Sequence, residues 1–269
     1  MGCIVPLLVS LLALALSAAN DPATTNSSIT WRWDREASGC DLNQQTPGST
    51  PVEVSRVPAT DETVISFRVR SPKFSKGYYP NGTVVLSTGA SFPARVQVYS
   101  SENRSYRLGA TISDPAFLNA FAAASTVSIR HKDFGHFDAS VKDSAPAVAA
   151  LRTCEDSRLR LWGIDPASLS SLQSRPVPTT ILADLFSSFD YPHVGVTNNF
   201  NADIIAKLEV AQDGSVRSCT WLGAKEYPQF GEAICKGLKD RAHFTPARDS
   251  NGHAVAAPYV TIAAFRMAG

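Results

Sequence analysis

The sequence predicts an α+β protein in which an antiparallel β domain with packed helices precedes a small β-β-α-β unit. Three observations predict it. Short alternating runs broken by turn residues fill the first half, two capped helical periods follow, and a hairpin, an amphipathic helix and a last strand close the chain. With 269 residues, 44% hydrophobic and 18% charged, the chain suits one large or two small cores and excludes fibrous and disordered classes. Lys+Arg is 25 against Asp+Glu 24, so no bulk field favours nucleic acid or an anionic membrane as partner.

Residues 1–19 carry no charged side chain and end in Ser17, Ala18 and Ala19 after a long apolar run, which reads as a secretory signal peptide cleaved after Ala19. The alternative is an uncleaved anchor, although Ile4 to Ala19 falls short of the usual span of about 20 residues. Cleavage removes Cys3 and leaves Cys40, Cys154, Cys219 and Cys235, an even set that suits disulfides in an exported chain. Residues 20–30 are small and polar, and are expected to be disordered.

The first domain is expected over 31–171. Its strands are read from Thr63–Arg70, Thr83–Ser87, Arg95–Tyr99, Ser105–Ile112 and Thr126–Arg130. Asp114-Pro115 opens a helix ending near Ala124, with Phe117, Leu118 and Phe121 on its apolar face. Ser144 caps a longer helix with Ala147, Val148, Leu151 and Leu159 at helical spacing, and Gly163 stops it. Asp165-Pro166 opens a further short helix.

Residues 172–180 (LQSRPVPTT for 172–180) read as a proline-marked linker, with a second domain over 181–269. There Ile204, Ala206, Leu208 and Val210 alternate with polar residues, Gln212 to Ser215 turn the chain, and Val216–Leu222 returns as a hairpin. Pro228–Arg241 has a helical stripe of Phe230, Ile234 and Leu238, with Cys235 beside it, and Ala257–Arg266 is the closing strand.

Asp213-Gly214-Ser215-Val216 with Ser218-Cys219-Thr220, the helix from Ala233 to Leu238, and Phe244-Thr245-Pro246-Ala247-Arg248-Asp249 with Gly252 and Val255 resemble the TonB C-terminal domain family over residues of about 186–267. The cysteine-bearing versions in exported alphaproteobacterial proteins are the nearest in pattern. This resemblance implies a periplasmic, non-enzymatic binding unit whose last strand, at Tyr259, Val260, Thr261, Ile262 and Ala263, pairs with an extended peptide or protein partner, such as a segment of an outer-membrane transporter. Residues 31–170 faintly resemble exported invasion-associated locus B type β domains. The segment after Tyr191-Pro192 (HVGVTNN for 193–199) is rich in β-branched and turn residues and departs from the helix that often follows in the TonB family.

Cys219 on the second strand and Cys235 on the covering helix are placed to staple helix to sheet, which leaves Cys40 and Cys154 for each other or as buried thiols. No catalytic, cofactor-binding or metal-ligating residue is assigned: Gly-x-Ser-x-Gly, Walker A and dinucleotide glycine loops are absent from the sequence. The alternative is an envelope hydrolase or metal-binding protein built on His131, Asp133, His136 and Asp138, a cluster whose Phe134-Gly135 centre reads more naturally as hairpin turn chemistry.

Overall fold

The computed structural model describes residues 30–34, 40–45, 51–70, 77–100, 105–197, 202–222 and 227–265. The expected leader and residues 20–29 lie outside the described residues, whereas Thr30 already belongs to a strand.

Nine strands form one sheet: β1 Thr30–Asp34, β2 Cys40–Gln45, β3 Val52–Arg56, β4 Thr63–Arg70, β5 Gly77–Leu86, β6 Ser91–Ser100, β7 Ser105–Ile112, β8 Thr126–His131 and β9 Gly135–Ser140. Their order is β1-β2-β3-β4-β7-β6-β5-β8-β9, with every neighbouring pair antiparallel. Period-two alternation turns Val52 and Val54, Ile65 and Phe67, Val96 and Val98, and Leu108 and Ala110 to one face, where all are buried. That face is covered by α1 (Phe117–Ala122) and α2 (Ser144–Leu161), whose Phe117, Phe121, Val148 and Leu151 join the same core. Burying such a side chain contributes about 1.5–3 kcal/mol each. Cys40 on β2 is bonded to Cys154 on α2 across 114 residues, which fixes the helix over the sheet.

Helix ends follow the sequence with two corrections. Asp114-Pro115 does not open α1: the helix begins at Phe117 with Ala116 at the cap position, and Asp114 Oδ1 accepts from Ala116 N at 2.8 Å in the turn before it. Ser144 is the first helical residue rather than the cap. Asp143 occupies the cap position in a left-handed conformation, and the Ser144 hydroxyl donates to Ala124 O at 3.1 Å, tying α2 to the end of α1. Gly163, at φ +69°, ends α2 with Ile164 N donating back to Leu159 O at 2.8 Å. Asp165 caps α3 (Pro166–Ser170) by accepting from Ala167 N at 3.0 Å.

The stretch 172–180 is not a free linker. β10 (Leu172–Ser174) and β11 (Val177–Pro178) run back along residues far ahead in the chain. Next come two 3-10 helices (Leu182–Leu185 and Ser188–Asp190), α4 (His193–Thr197), β12 (Ala202–Val210), β13 (Val216–Leu222) and α5 (Gln229–Arg241). β14 (Phe244–Thr245), β15 (Ala247–Asp249), β16 (Ala254–Val255) and β17 (Ala257–Phe265) complete the chain. β10 pairs with β15 and β11 with β14, so proline marks short edge strands here. α4 shows that the residues after Tyr191-Pro192 do make one helical turn despite their β-branched content.

β13, β12 and β17 form a three-stranded antiparallel sheet. One face carries Ile204, Ala206, Leu208 and Tyr259 against Phe230, Ile234 and Leu238 of α5. Cys219 is bonded to Cys235, joining β13 to α5 across 16 residues. The opposite face rests on the first unit, where Ile205 and Val260 cluster with Ala59, Leu159, Trp162 and Leu169. Lys207 Nζ donates to Trp162 O at 2.9 Å, adding a cation at the C-terminal end of α2.

A charge quartet closes the seam between the units. Arg175, between β10 and β11, donates to Glu155 Oε1 at 2.8 Å and to Thr60 O at 2.8 Å, and lies 3.5 Å from Asp61. Arg56 donates to Thr60 O at 2.7 Å and reaches the same Glu155 carboxylate, its Nε 3.3 Å away without hydrogen-bond geometry. Two arginines thus face two carboxylates in a largely dry site. Desolvation lowers the Arg56 pKa, with Glu155 acting against it.

A groove beside the last strand

β17 is an edge strand: among the described residues no strand pairs with its outer side. Its sequence (APYVTIAAF for 257–265) contains no charged residue, and Pro258 near its start is the only one of the usual edge-blunting residues. The opposite edge differs. β13 carries Arg217 and is bonded to α5 through Cys219.

Thr261, Ile262 and Ala263 line a groove of about 460 Å³ whose far wall is built by Leu182, Phe186 and Tyr191 and whose floor is Ile234 and Leu238 of α5. Gly237 makes the wall possible, because a Cβ there would stand 2.4 Å from Phe186 Cε1; the absent side chain lets the ring lie against the helix. Arg241 sits over the Phe186 ring at 5.1 Å and donates to Asp190 Oδ1 at 2.7 Å. Asp190 also accepts from Ser187 N at 2.9 Å, while the Ser187 hydroxyl accepts from Phe189 N, which makes a capping box around one 3-10 turn. The hydrogen bond from the Ser187 amide, followed by that from Arg241, holds the Asp190 carboxyl below the usual range. On this pinned turn Phe189 projects with 97% of its surface exposed.

The five strand residues expected to meet a partner divide in two. Thr261, Ile262 and Ala263 line the groove. Tyr259 and Val260 belong to the edge through their backbone, while their side chains are spent on packing: Val260 is buried against the first unit and Tyr259 packs on Phe244 at 4.9 Å between ring centres. Burial, with a smaller contribution from nearby Glu62, raises the Tyr259 phenol well above its ordinary value. The groove wall from Leu182 to Tyr191 was not assigned from sequence, although Ser187-x-x-Asp190 carries the capping-box pattern.

The His131–Asp138 cluster forms the turn of the β8–β9 hairpin. His131 is buried, with Nε2 3.0 Å from Pro80 O, Nδ1 accepting from Asp133 N, and its ring stacked on Phe134. His136 and Asp138 are exposed, and among the described residues no three His, Cys, Asp or Glu side chains converge for a metal. None of the described helices is long and apolar enough to cross a membrane.

No family model, curated protein or solved structure matches the chain.

Proposed function

We propose that this is an exported, non-enzymatic binding protein whose C-terminal unit takes an extended peptide along the outer edge of β17. The observation that carries the reading is the juxtaposition of an uncharged edge strand with no outer partner among the described residues, an apolar groove along it, and an exposed Phe189 on the turn whose Ser187 and Asp190 line that groove. Main-chain hydrogen bonds to β17 supply affinity, alternate peptide side chains enter the groove over Ile234 and Leu238, and Phe189 serves as the aromatic anchor.

The resemblance of residues of about 186–267 to the TonB C-terminal domain supports the same reading, with the periplasm as compartment and an outer-membrane transporter segment as the class of partner. The two disulfides suit an oxidising compartment. The first unit then acts as the rigid support of the binding sheet's rear face.

Titration of the exported chain with peptides from the N-terminal segments of outer-membrane transporters tests the proposal. Thr261→Pro and Ile262→Pro are compared, because adjacent residues of an edge strand direct their amides alternately to β12 and outward. Loss of binding in the variant that keeps its melting temperature is expected. Equal affinity in that variant and the parent removes the proposal.

A further inference from the structure

The solvent face of the nine-stranded sheet carries a second surface, unrelated to the β17 groove. Register places Arg68 of β4 directly opposite Arg107 of β7, and Arg107 directly opposite Tyr99 of β6. Arg70 follows two residues beyond Arg68 on the same exposed side. Like charges facing each other across a ladder are destabilising unless an anion lies between them. Arg107 is engaged by Glu53 and donates to Ser66 Oγ at 3.0 Å, and Arg95 is engaged by Glu62. Arg68 and Arg70 have no ion pair or hydrogen bond among the described residues, so among these residues the exposed end of β4 carries two uncompensated guanidiniums.

On the same solvent side Tyr99 lies beyond Arg107 in the row, and Tyr78 of β5 stands opposite Gln97, two residues before Tyr99. Tyr99 and Tyr78 are 45% and 47% exposed, although both belong to ordered strands. Gly109 of β7 lies beside Tyr99, where a Cβ would stand 4.0 Å from the ring's Cε2 in ordinary contact, so the ring packs next to the strand with nearly half of its surface exposed. Neighbouring strands are about 4.8 Å apart, so Arg68, Arg107 and Tyr99 stand in one row across three adjacent strands.

We infer that this face binds an anionic saccharide chain, its sulfate, phosphate or carboxylate groups held by Arg68 and Arg70 and a sugar ring lying on Tyr99. Guanidinium forks bind such oxyanions in pairs of hydrogen bonds. A saccharide is favoured over a nucleic acid because the chain is disulfide-bonded and carries no net basic charge. The array is local, and calls for a ligand that combines charge with a stackable apolar ring face.

The full exported chain is titrated calorimetrically with sulfated and phosphorylated glucans, with the uncharged glucan, with oligo-dT and with anionic phospholipid vesicles. Binding of both charged glucans and not the neutral one is expected. Arg68→Ser with Arg70→Ser is expected to weaken it by about tenfold or more, since each lost contact is charge-assisted. Tyr99→Ala weakens it while leaving the salt dependence unchanged, Arg68→Lys retains part of it, and about 0.5 M salt abolishes it. All three sites are exposed or half-exposed, so each variant still folds cooperatively and peptide binding at the β17 groove stays at the parent's value. Equal glucan affinity in the double variant overturns the inference. So does tighter binding to oligo-dT or to the vesicles than to either charged glucan.

Discussion

Replacing Glu155 by Gln strikes the charge quartet at the seam between the two units. Glu155 is 6% exposed and receives Arg175 and Arg56 together, while Asp61 supplies the other negative charge. The amide keeps the volume and removes one charge, so Arg56, itself 6% exposed, faces Arg175 with a single carboxylate between them. Breaking a buried pair from one side costs about 3–5 kcal/mol, because the partner's desolvation is no longer offset. Arg175 is somewhat more open, at 18% side-chain exposure, which places the expected loss at the lower end of that range. For a chain of this size each kcal/mol moves the melting temperature by about 2–4 °C, so a drop of roughly 6–12 °C is expected. Urea unfolding of the disulfide-intact protein at neutral pH reads the same quantity, and Arg175→Met on top of Glu155→Gln recovers part of it by leaving one arginine to the one remaining carboxylate. A loss below about 1 kcal/mol, or no recovery in the double variant, refutes the reasoning and makes the quartet a hydrated surface pair.

Other perturbations give separate readouts. Removing the Cys40–Cys154 bond, which closes 114 residues, costs at most about 4–5 kcal/mol by loop entropy, and removing Cys219–Cys235, which closes 16, about 3 kcal/mol; paired Ser variants in urea check the order. Gly231→Ala drives a Cβ to 2.0 Å from Trp221 Cδ1, and calorimetric melting should show about 1–3 kcal/mol of overpacking in spite of the better helix former. Phe189→Ala leaves stability within about 0.5 kcal/mol because the ring touches little, yet should weaken peptide binding by about 1 kcal/mol or more. Asp190 has its pKa depressed on folding, so its contribution to the groove is present above the ordinary carboxyl range and fades as pH falls through the folded value; Asp190→Asn should abolish that acid weakening in a binding titration.

Much of this was legible because local chemistry decided it. Thr63–Arg70 and Ser105–Ile112 alternate visibly, and Asp165-Pro166 and Gly163 punctuate helices through backbone requirements that no tertiary contact overrides. β2 was not legible, since its sequence (CDLNQQ for 40–45) lacks β-branched residues and buries Gln44 at 1% exposure, a choice made by neighbouring strands. Reading 172–180 as a linker followed from its prolines, yet the partners of β10 and β11 lie about seventy residues onward, a separation that periodicity does not encode. The site shows the same division. The last strand was visible by its pattern, whereas the groove needs two single-turn 3-10 helices, a glycine on α5 and Arg241 to meet in space.

Amide hydrogen exchange of β17, with and without a saturating transporter-derived peptide, tests the central claim most directly. Main-chain pairing at the outer edge predicts that amides of Thr261 to Phe265 directed away from β12 exchange rapidly in the free protein and become protected in the complex, together with reduced access to Phe189. Bound peptide with those outward amides still exchanging at the free rate would contradict it.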